Sequence, residues 1–553
     1  MKAQIKDGYQ RANLAVKDAL RIIRQEGPNE LQFWFIALLI GIGAGFTALY
    51  FRKAILALQG FLYDAETRTD MLSVADRLPW YWILLVPIVG GLIVGILLNK
   101  YTPDGRVRSV ADVIEGAALH HGRVERREGL ASGLASLITL SSGGSTGREG
   151  PVVHLAAVIS TWVSNRIHAS GIDARDLLGC AVAAAVSASF NAPIAGALFA
   201  LEVILRHFAV HAFAPIVIAS VAGTVISRLE FGNVTEFQLM RVGELAFYVE
   251  LPAFLLLGII SGLVAVVLMK SIFWADNFGN VLQKTLRIPA ILRPAIAGGL
   301  LGGIAIFFPH IIGVGYGTTS AALSGDLLFR EAVVFAVLKA IAVAITMAGR
   351  MGGGVFSPAM MLGALTGLAF GLIATQAFPN VSGSHTIYAL AGMGAVAAAV
   401  LGAPISTTLI VFELTGDWQT GLAVMAAVSV STAISSRMVD KSFFLTQLER
   451  RDVHLAAGPQ GYLLSTIRVK TVMRALGEQR CADEADCDAL VKEGRLVGPE
   501  ATLEEIMPEF EAHDLDFIPV VAESGALLGA IYHVDALLTF NRALSETAAE
   551  EHS

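Results

Sequence analysis

Ser142-Gly143-Gly144-Ser145-Thr146-Gly147-Arg148-Glu149-Gly150-Pro151, followed by the apolar run 152–163, decides how this chain is read. The glycines allow a turn that approaches a ligand closely, Pro151 suits a first helical position, and the run after it reads as a helix buried in a membrane. A helix N-terminus is thereby expected at membrane depth. Such an end presents unpaired N–H groups and roughly half a positive charge, so it can hold an anion without any lysine. Glu149 sits beside the same electropositive end. Its carboxylate either fills the anion's place, which is a route to a gate, or simply pairs with Arg148 or caps the helix.

The layout occurs twice. In Gly352-Gly353-Gly354-Val355-Phe356-Ser357-Pro358-Ala359-Met360-Met361-Leu362-Gly363-Ala364, the residues Gly354, Pro358, Leu362 and Ala364 keep the spacing of Gly147, Pro151, Leu155 and Ala157. Ala192-Pro193-Ile194 leads to Leu198 and Glu202 as Ala403-Pro404-Ile405 leads to Leu409 and Glu413. Two halves with Gly/Pro-broken apolar segments at matching places predict a binding site between them, near the midplane of the membrane.

With 553 residues, 54% of them hydrophobic and 16% charged, and a mean hydropathy of +0.63, the chain is an integral membrane protein. Helical spans are predicted at 31–50, 82–98, 247–269, 295–308 and 332–347, with shorter glycine-rich segments between them that suggest half-crossing helices. Fifty-five glycines suit close helix packing in lipid. The net charge of −7 includes an acidic C-terminal region and says little. Cys180, Cys481 and Cys487 have no metal or disulfide spacing and read as reduced thiols. Residues 1–28 read as a basic amphipathic surface helix, with Lys2, Lys6, Arg11, Lys17, Arg21 and Arg24, ended by Gly27-Pro28, rather than as a cleavable signal. The positive-inside tendency places that end in the cytoplasm.

The membrane domain is expected over 29–450, as repeats of about 29–230 and 245–440 joined through the polar stretch 229–245. Residues 460–545 read as a small soluble α/β unit. A helix over 503–513 precedes the strand Phe517-Ile518-Pro519-Val520-Val521, a turn at Glu523-Ser524-Gly525, a strand over 527–532 and a helix from Val534. That order resembles a CBS repeat, with an abbreviated partner over 469–497. Such domains commonly dimerise and some bind adenine nucleotides. Here Asp535 is kept, but Tyr532 stands where the resemblance leads one to expect a Ser/Thr of the ribose-binding turn, which favours a packing role over nucleotide binding.

Gly147-Arg148-Glu149-Gly150-Pro151, Gly353 with Val355-Phe356-Ser357-Pro358, Phe190-Asn191-Ala192-Pro193 and the CBS-like unit together resemble the CLC family of chloride channels and chloride/proton exchangers. The resemblance implies an all-α polytopic fold of two inverted-topology repeats with half-crossing helices. It also implies a homodimer in the lipid bilayer with one chloride pathway per subunit, selectivity built from helix N-termini, and cytoplasmic N- and C-termini, in a bacterial inner membrane. Glu149 falls at the family's gating glutamate. Arg148, Gly150, Val355 and Phe356 belong to the anion-binding helix starts.

Three departures bear on mechanism. The family's Gly-Ser-Gly-Ile-Pro motif aligns with Arg108-Ser109-Val110-Ala111-Asp112, leaving Ser109 as its hydroxyl donor and Arg106 and Arg108 near the vestibule as cations that raise local anion concentration or merely meet lipid headgroups. The tyrosine that donates to the central anion is replaced by Phe444, which has no hydroxyl to give and removes on the order of 1.5–3 kcal/mol of hydrogen bonding to a charge. The internal proton-accepting glutamate of exchangers is Val203, which carries no proton. Glu202 is adjacent but about 100° away on an α-helix, and it and Glu413 are expected to make structural hydrogen bonds.

These features favour a chloride-selective CLC-type channel or uncoupled conduit gated by Glu149. The alternatives are chloride/proton exchange through water or another acid, a fluoride-selective relative, and a sensor with a vestigial pore. No enzyme, cofactor, metal or nucleic-acid signature stands out: no Walker-type lysine follows the glycine-rich loops and no His/Cys cluster has metal spacing.

Overall fold

A computed structural model describes residues 29–64, 77–208, 210–232, 247–379, 382, 384–453, 455, 464, 467–477, 480–513, 515–522 and 525–552. The basic helix expected over 1–28, most of the connection over 229–245 and the turn residues Glu523 and Ser524 lie outside them.

The described residues fall into two compact units that meet in the chain at Arg451 and Asp452. In the first, helices run in two parallel series. Glu30–Tyr63, Trp80–Tyr101, Val110–Leu119, Arg126–Ser141, Glu149–Ile167, Gly171–Phe190, Pro193–Phe199 and Val210–Phe231 are matched in order by Phe247–Thr285, Arg293–Ala305, Tyr316–Ser324, Phe329–Ala348, Phe356–Ala377, His385–Leu401, Pro404–Thr415 and Trp418–Met438. Among the described residues, seven helices are long and apolar enough to cross a membrane. Several members, such as Val110–Leu119 and Pro404–Thr415, are too short to do so.

Two of the predicted spans are much longer than hydropathy indicates. Glu30–Tyr63 has 34 residues, about 50 Å at the rise of an α-helix and longer than the ~30 Å hydrocarbon core requires. It starts at a reciprocal cap, with Gln32 N–H donating to Asn29 Oδ1 at 2.9 Å and Asn29 N–H to Gln32 Oε1 at 3.1 Å. It runs past Arg52, whose guanidinium lies 3.6 Å from the Phe231 ring centroid, and Gln59, which donates to Leu140 O at 3.1 Å. Polar residues with internal partners do not end a helix, which is why a hydropathy window stops too early. Phe247–Thr285 extends likewise to 39 residues. The span expected over 295–308 instead closes at Ala305, before the turn Pro309–Ile311.

Close packing depends on small residues. Gly363, Gly367 and Gly371 lie along one face of Phe356–Ala377 against His385–Leu401, where a Cβ at Gly367 would stand 2.1 Å from Tyr388 O and one at Gly363 would stand 2.3 Å from Gly392 O. This is backbone-to-backbone contact of the small-xxx-small kind.

The repeats also exchange caps. Glu413 accepts from Ile194 N at 3.0 Å and Ala195 N at 2.8 Å. Its repeat mate Glu202 accepts from Ile405 N at 3.0 Å, Ser406 N at 2.8 Å and Ser406 Oγ at 2.5 Å. Each half thus supplies a carboxylate to the N-terminus of the other half's helix, and Pro193 and Pro404 occupy the first helical turn where their missing N–H is not needed.

The second unit holds a three-stranded antiparallel sheet ordered Arg474–Ala475, Leu527–Tyr532, Phe517–Val521. Helices Leu503–His513 and His533–His552 accompany it, and Leu503, Ile506, Phe510, Ile518, Val520, Ile531 and Ala536 form its core. The last helix starts at His533, one residue before the expected Val534.

Glu413→Ala leaves two N–H groups of the first repeat without their charged acceptor, and the loss is on the order of 1–3 kcal/mol. The apparent melting temperature of the purified protein is expected to fall, with Glu413→Gln falling less because one acceptor oxygen remains; equal melting of Glu413→Ala and the parent would rule out a stabilising cap.

Candidate anion site between the two repeats

The two glycine-led segments meet through their backbones. Gly147 N–H donates to Gly354 O at 2.7 Å and Gly354 N–H to Gly147 O at 2.8 Å, an antiparallel bridge between residues that occupy equivalent places in the two halves. Side-chain hydroxyls tie the surrounding turns: Thr146 Oγ1 donates to Gly354 O at 2.9 Å, Ser145 N to Thr346 Oγ1 at 3.0 Å and Gly352 N to Thr139 Oγ1 at 3.0 Å. Gly353 adopts a φ of 132° in contact with Thr146, where a side chain has no room.

From this bridge the helices Glu149–Ile167 and Phe356–Ala377 depart. Pro151 and Pro358 are their third residues, not the first position that the sequence suggests, because Arg148 and Val355 act as the N-caps. The chemistry is unchanged, since the first turn of N–H groups has no intrahelical acceptor and a proline anywhere within it sacrifices nothing. Val152 N and Ala359 N make the first internal bonds, at 3.1 and 3.0 Å. The N–H groups of Glu149, Gly150, Phe356 and Ser357 therefore start the two helices without backbone acceptors.

Glu149 is 1% exposed. Its Oε1 accepts from Tyr316 Oη at 2.9 Å and from Ser357 Oγ at 2.5 Å, and Arg148 Nε stands 3.9 Å away. Arg148 does not fold onto the carboxylate as a simple pair. Its Nη2 donates to Ser189 O at 3.3 Å and its guanidinium lies 5.0 Å from the Tyr316 ring centroid.

Three cavities surround this point. A small one is lined by Ser109, Glu149, Gly150, Val355, Phe356 and Phe444 among others, so six of the residues singled out in the sequence converge from four separate stretches of chain. Phe356 is held there by Phe190 and Phe199, with ring centroids 4.8 and 5.7 Å apart. Arg148 lines a different cavity, with Arg52, Gln59 and Tyr316. The third shares Ser109, Met347, Gly353 and Phe443 with the small one and adds Arg106, Arg350, Arg450 and Arg451. Glu149 and Arg148, adjacent in sequence, thus stand on the linings of two cavities, and Ser109 stands on two.

Arg108 takes no part in that basic lining. Its guanidinium bonds Glu128 Oε2 at 2.7 Å and Asp104 Oδ2 at 3.0 Å, with Asp112 Oδ1 at 3.4 Å, so its charge is spent on carboxylates. The cations that do line the cavity include Arg350, which donates to Asp104 O and Asn280 Oδ1, and Arg450, which donates to Phe273 O and Asn277 Oδ1. These hydrogen bonds go to neutral oxygens, and Asp276, the carboxylate on the same lining, is paired with Arg293 at 3.0 Å. Ser109 caps Val110–Leu119, its N–H donating to Asp112 Oδ2 at 2.7 Å, and Asp112 in turn takes Arg451 Nη1 at 2.8 Å.

Val203 is 5% exposed and lines neither the small nor the basic cavity. It lies in a π-helical stretch, Ala200–Leu205, that continues Pro193–Phe199. The angle of an α-helix does not hold there, so the separation of Glu202 from Val203 rests instead on the cap bonds of Glu202 to the second repeat.

Sequence reading missed Tyr316, Ser357 as a side-chain donor, and Arg350, Arg450 and Arg451. Tyr316 carried one signal, the glycines of Gly313-Val314-Gly315-Tyr316-Gly317, which mark a backbone built for close approach. Arg350 lies about 100 residues from the adjacent Arg450 and Arg451, and no spacing links them.

Residues 90–436 match the voltage-gated chloride channel family. A putative chloride channel protein ClcB-like from Ralstonia nicotianae is 31% identical over 399 residues, 71% of this chain and 91% of that protein. The voltage-gated ClC-type chloride channel ClcB of Escherichia coli is 28% identical over 415 residues, 74% of this chain and 97% of its own length. Among solved structures, a slow cyanobacterial chloride/proton antiporter superposes with a TM-score of 0.67 at 19% identity, over 76% of this chain and 97% of that one. A CLC-type fluoride/proton antiporter gives 0.61 at 20% identity, over 74% and 96%. With its two-repeat membrane fold, its bridged helix starts and these relatives, the chain belongs to the CLC family of chloride transport proteins.

Proposed function

We propose that the protein is a CLC-type chloride channel or uncoupled chloride conduit in which Glu149 is the gate. The observation that carries this reading is the buried Glu149 carboxylate at the start of a helix bridged to its repeat mate, lining the small cavity while the neighbouring Arg148 lines another. A carboxylate and a chloride ion compete for the same donors, so displacement or protonation of Glu149 joins the cavities. Passive conduction, as against exchange, is supported by Val203 and Phe444. The first offers no proton acceptor, and the second offers the central anion no hydroxyl, so occupancy there is weak and throughput is favoured. Glu202, the acid nearest Val203 in sequence, already spends both oxygens on the second repeat. The basic cavity at Arg106, Arg350 and Arg450 concentrates anions at one mouth.

By the same reading the protein is a homodimer with cytoplasmic termini, and its C-terminal unit is a packing module. Asp535, the residue placed to accept a ribose, is held by Arg474 through Nε–Oδ2 at 2.7 Å and Nη2–Oδ1 at 3.0 Å, with the guanidinium 4.2 Å from the Tyr532 ring centroid. A bidentate arginine fills the acceptor that a nucleotide needs.

In liposomes, chloride efflux is expected to rise on acidification, and Glu149→Gln is expected to conduct with little dependence on pH; a mutant that stays shut at neutral pH removes Glu149 from the gate. With chloride and proton gradients imposed together, the reversal potential should follow chloride alone, whereas a fixed-ratio deviation would establish exchange. Millimolar ATP is expected to leave the melting temperature of the full chain unchanged, and a rise that Asp535→Ala abolishes would assign a nucleotide site.

A further inference from the structure

We propose that the hydroxyls of Tyr316 and Ser357 form a side-chain anion site, occupied by the Glu149 carboxylate in the closed state, which supplies the hydroxyl donation that Phe444 withholds one level away. The inference rests on Glu149 as the gate. A carboxylate oxygen is an anion's stand-in, and Glu149 Oε1 marks the point where two O–H donors converge, at 2.9 and 2.5 Å, with Arg148 Nε at 3.9 Å. The two hydroxyl oxygens are 3.5 Å apart, close enough to serve one ion together. The other oxygen, Oε2, is buried without a hydrogen-bond partner among the described residues. Glu149 is therefore held by half of its acceptors, which leaves it exchangeable for a free anion.

The donors stay in place when the carboxylate leaves. Tyr316 opens the helix Tyr316–Ser324 directly after Gly315, whose φ is 89°. Gly313 N–H donates to Gly144 O at 3.1 Å, in the glycine turn of the opposite repeat. From behind, the fully buried Lys339 donates through Nζ to Gly313 O at 3.0 Å and Ile311 O at 3.4 Å. A Cβ at Gly315 would stand 2.3 Å from Met361 Sδ, so the loop is wedged as well as tied. A donor fixed in this way loses no rotational freedom when the anion arrives.

The repeat relation gives an independent reason. Tyr316–Ser324 is the mate of Val110–Leu119, whose cap is Ser109. Each half thus brings a hydroxyl at the start of the same helix, Ser109 to the small cavity and Tyr316 to the cavity that Arg148 lines. The pathway thus carries two hydroxyl stations, on two different cavities. Tyr316 offers the phenolic hydroxyl that Phe444 lacks.

The test is calorimetric titration of sodium chloride into purified full-length protein in chloride-free buffer. Four proteins are compared: the parent, Glu149→Ala, Glu149→Ala/Tyr316→Phe and Glu149→Ala/Ser357→Ala. Vacating the site with Glu149→Ala should strengthen chloride binding over the parent, and each double variant should bind about tenfold more weakly than Glu149→Ala, as loss of one hydrogen bond to a charge requires. Tyr316→Phe keeps the ring and Ser357→Ala removes one atom, and melting temperatures within a few degrees of Glu149→Ala show that folding is intact. Binding by both double variants within twofold of Glu149→Ala overturns the hydroxyl site alone. Chloride binding and efflux by Glu149→Ala no greater than the parent's overturn the gate, and the site with it.

Discussion

Two hydrogen bonds between Gly147 and Gly354 are the constraint on which the rest of the membrane unit depends. They are reciprocal, at 2.7 and 2.8 Å, because the two residues hold the same position in halves related by an approximate two-fold axis, and a contact across such an axis must be returned. The absence of side chains lets the two backbones come this close. A Cβ at Gly147 would meet Glu149 Oε2 at 2.7 Å and Gly354 O at 3.1 Å, and one at Gly354 would meet Gly150 N at 3.0 Å. Satisfying these backbone groups with each other also solves a problem of the bilayer, where irregular backbone has no water to turn to. The result is a pair of helix starts whose remaining N–H groups stand within one neighbourhood.

The same axis explains the exchanged caps. A helix that begins inside the membrane needs an acceptor for its first N–H groups, and each repeat provides it from the partner repeat through Glu202 or Glu413. The backbone dipoles of the capped helix then compensate the charge of an acidic residue in an apolar segment. Lys339 follows the converse rule, with an ammonium held by carbonyl oxygens of residues 311 and 313. Around Ser109, by contrast, buried charges are paired directly, Asp112 with Arg451 and Arg108 with Glu128.

The symmetry between the halves is not exact. Pro404–Thr415 is α-helical throughout, whereas its mate turns π-helical over Ala200–Leu205 and carries Val203 there. Glu149 has no acidic counterpart, since Phe356 holds the equivalent position in the second repeat. Arg108, beside Ser109, is neutralised by Glu128 and Asp104, so the basic character of the neighbouring cavity comes from arginines contributed elsewhere.

Glycines and prolines at repeated spacing made the two halves, the paired helix starts and Glu149 legible in the sequence, because local backbone demands are written in those residue types. Hydropathy located the spans but not their lengths, since Arg52 and Gln59 look like boundaries until their partners across the fold are known. The convergence of Ser109, Gly150, Val355, Phe356 and Phe444 on one cavity was legible only through family likeness; of the basic cavity only Arg106 was anticipated, Tyr316 was marked by no more than its flanking glycines, and the Ser357 hydroxyl, Arg350, Arg450 and Arg451 were not legible. The sequence by itself determined that two broken-helix halves face each other around an acidic residue. Tertiary structure alone decided which hydroxyls and cations reach that residue, because those groups are brought together by long-range packing of helices, and spacing along the chain holds no record of it.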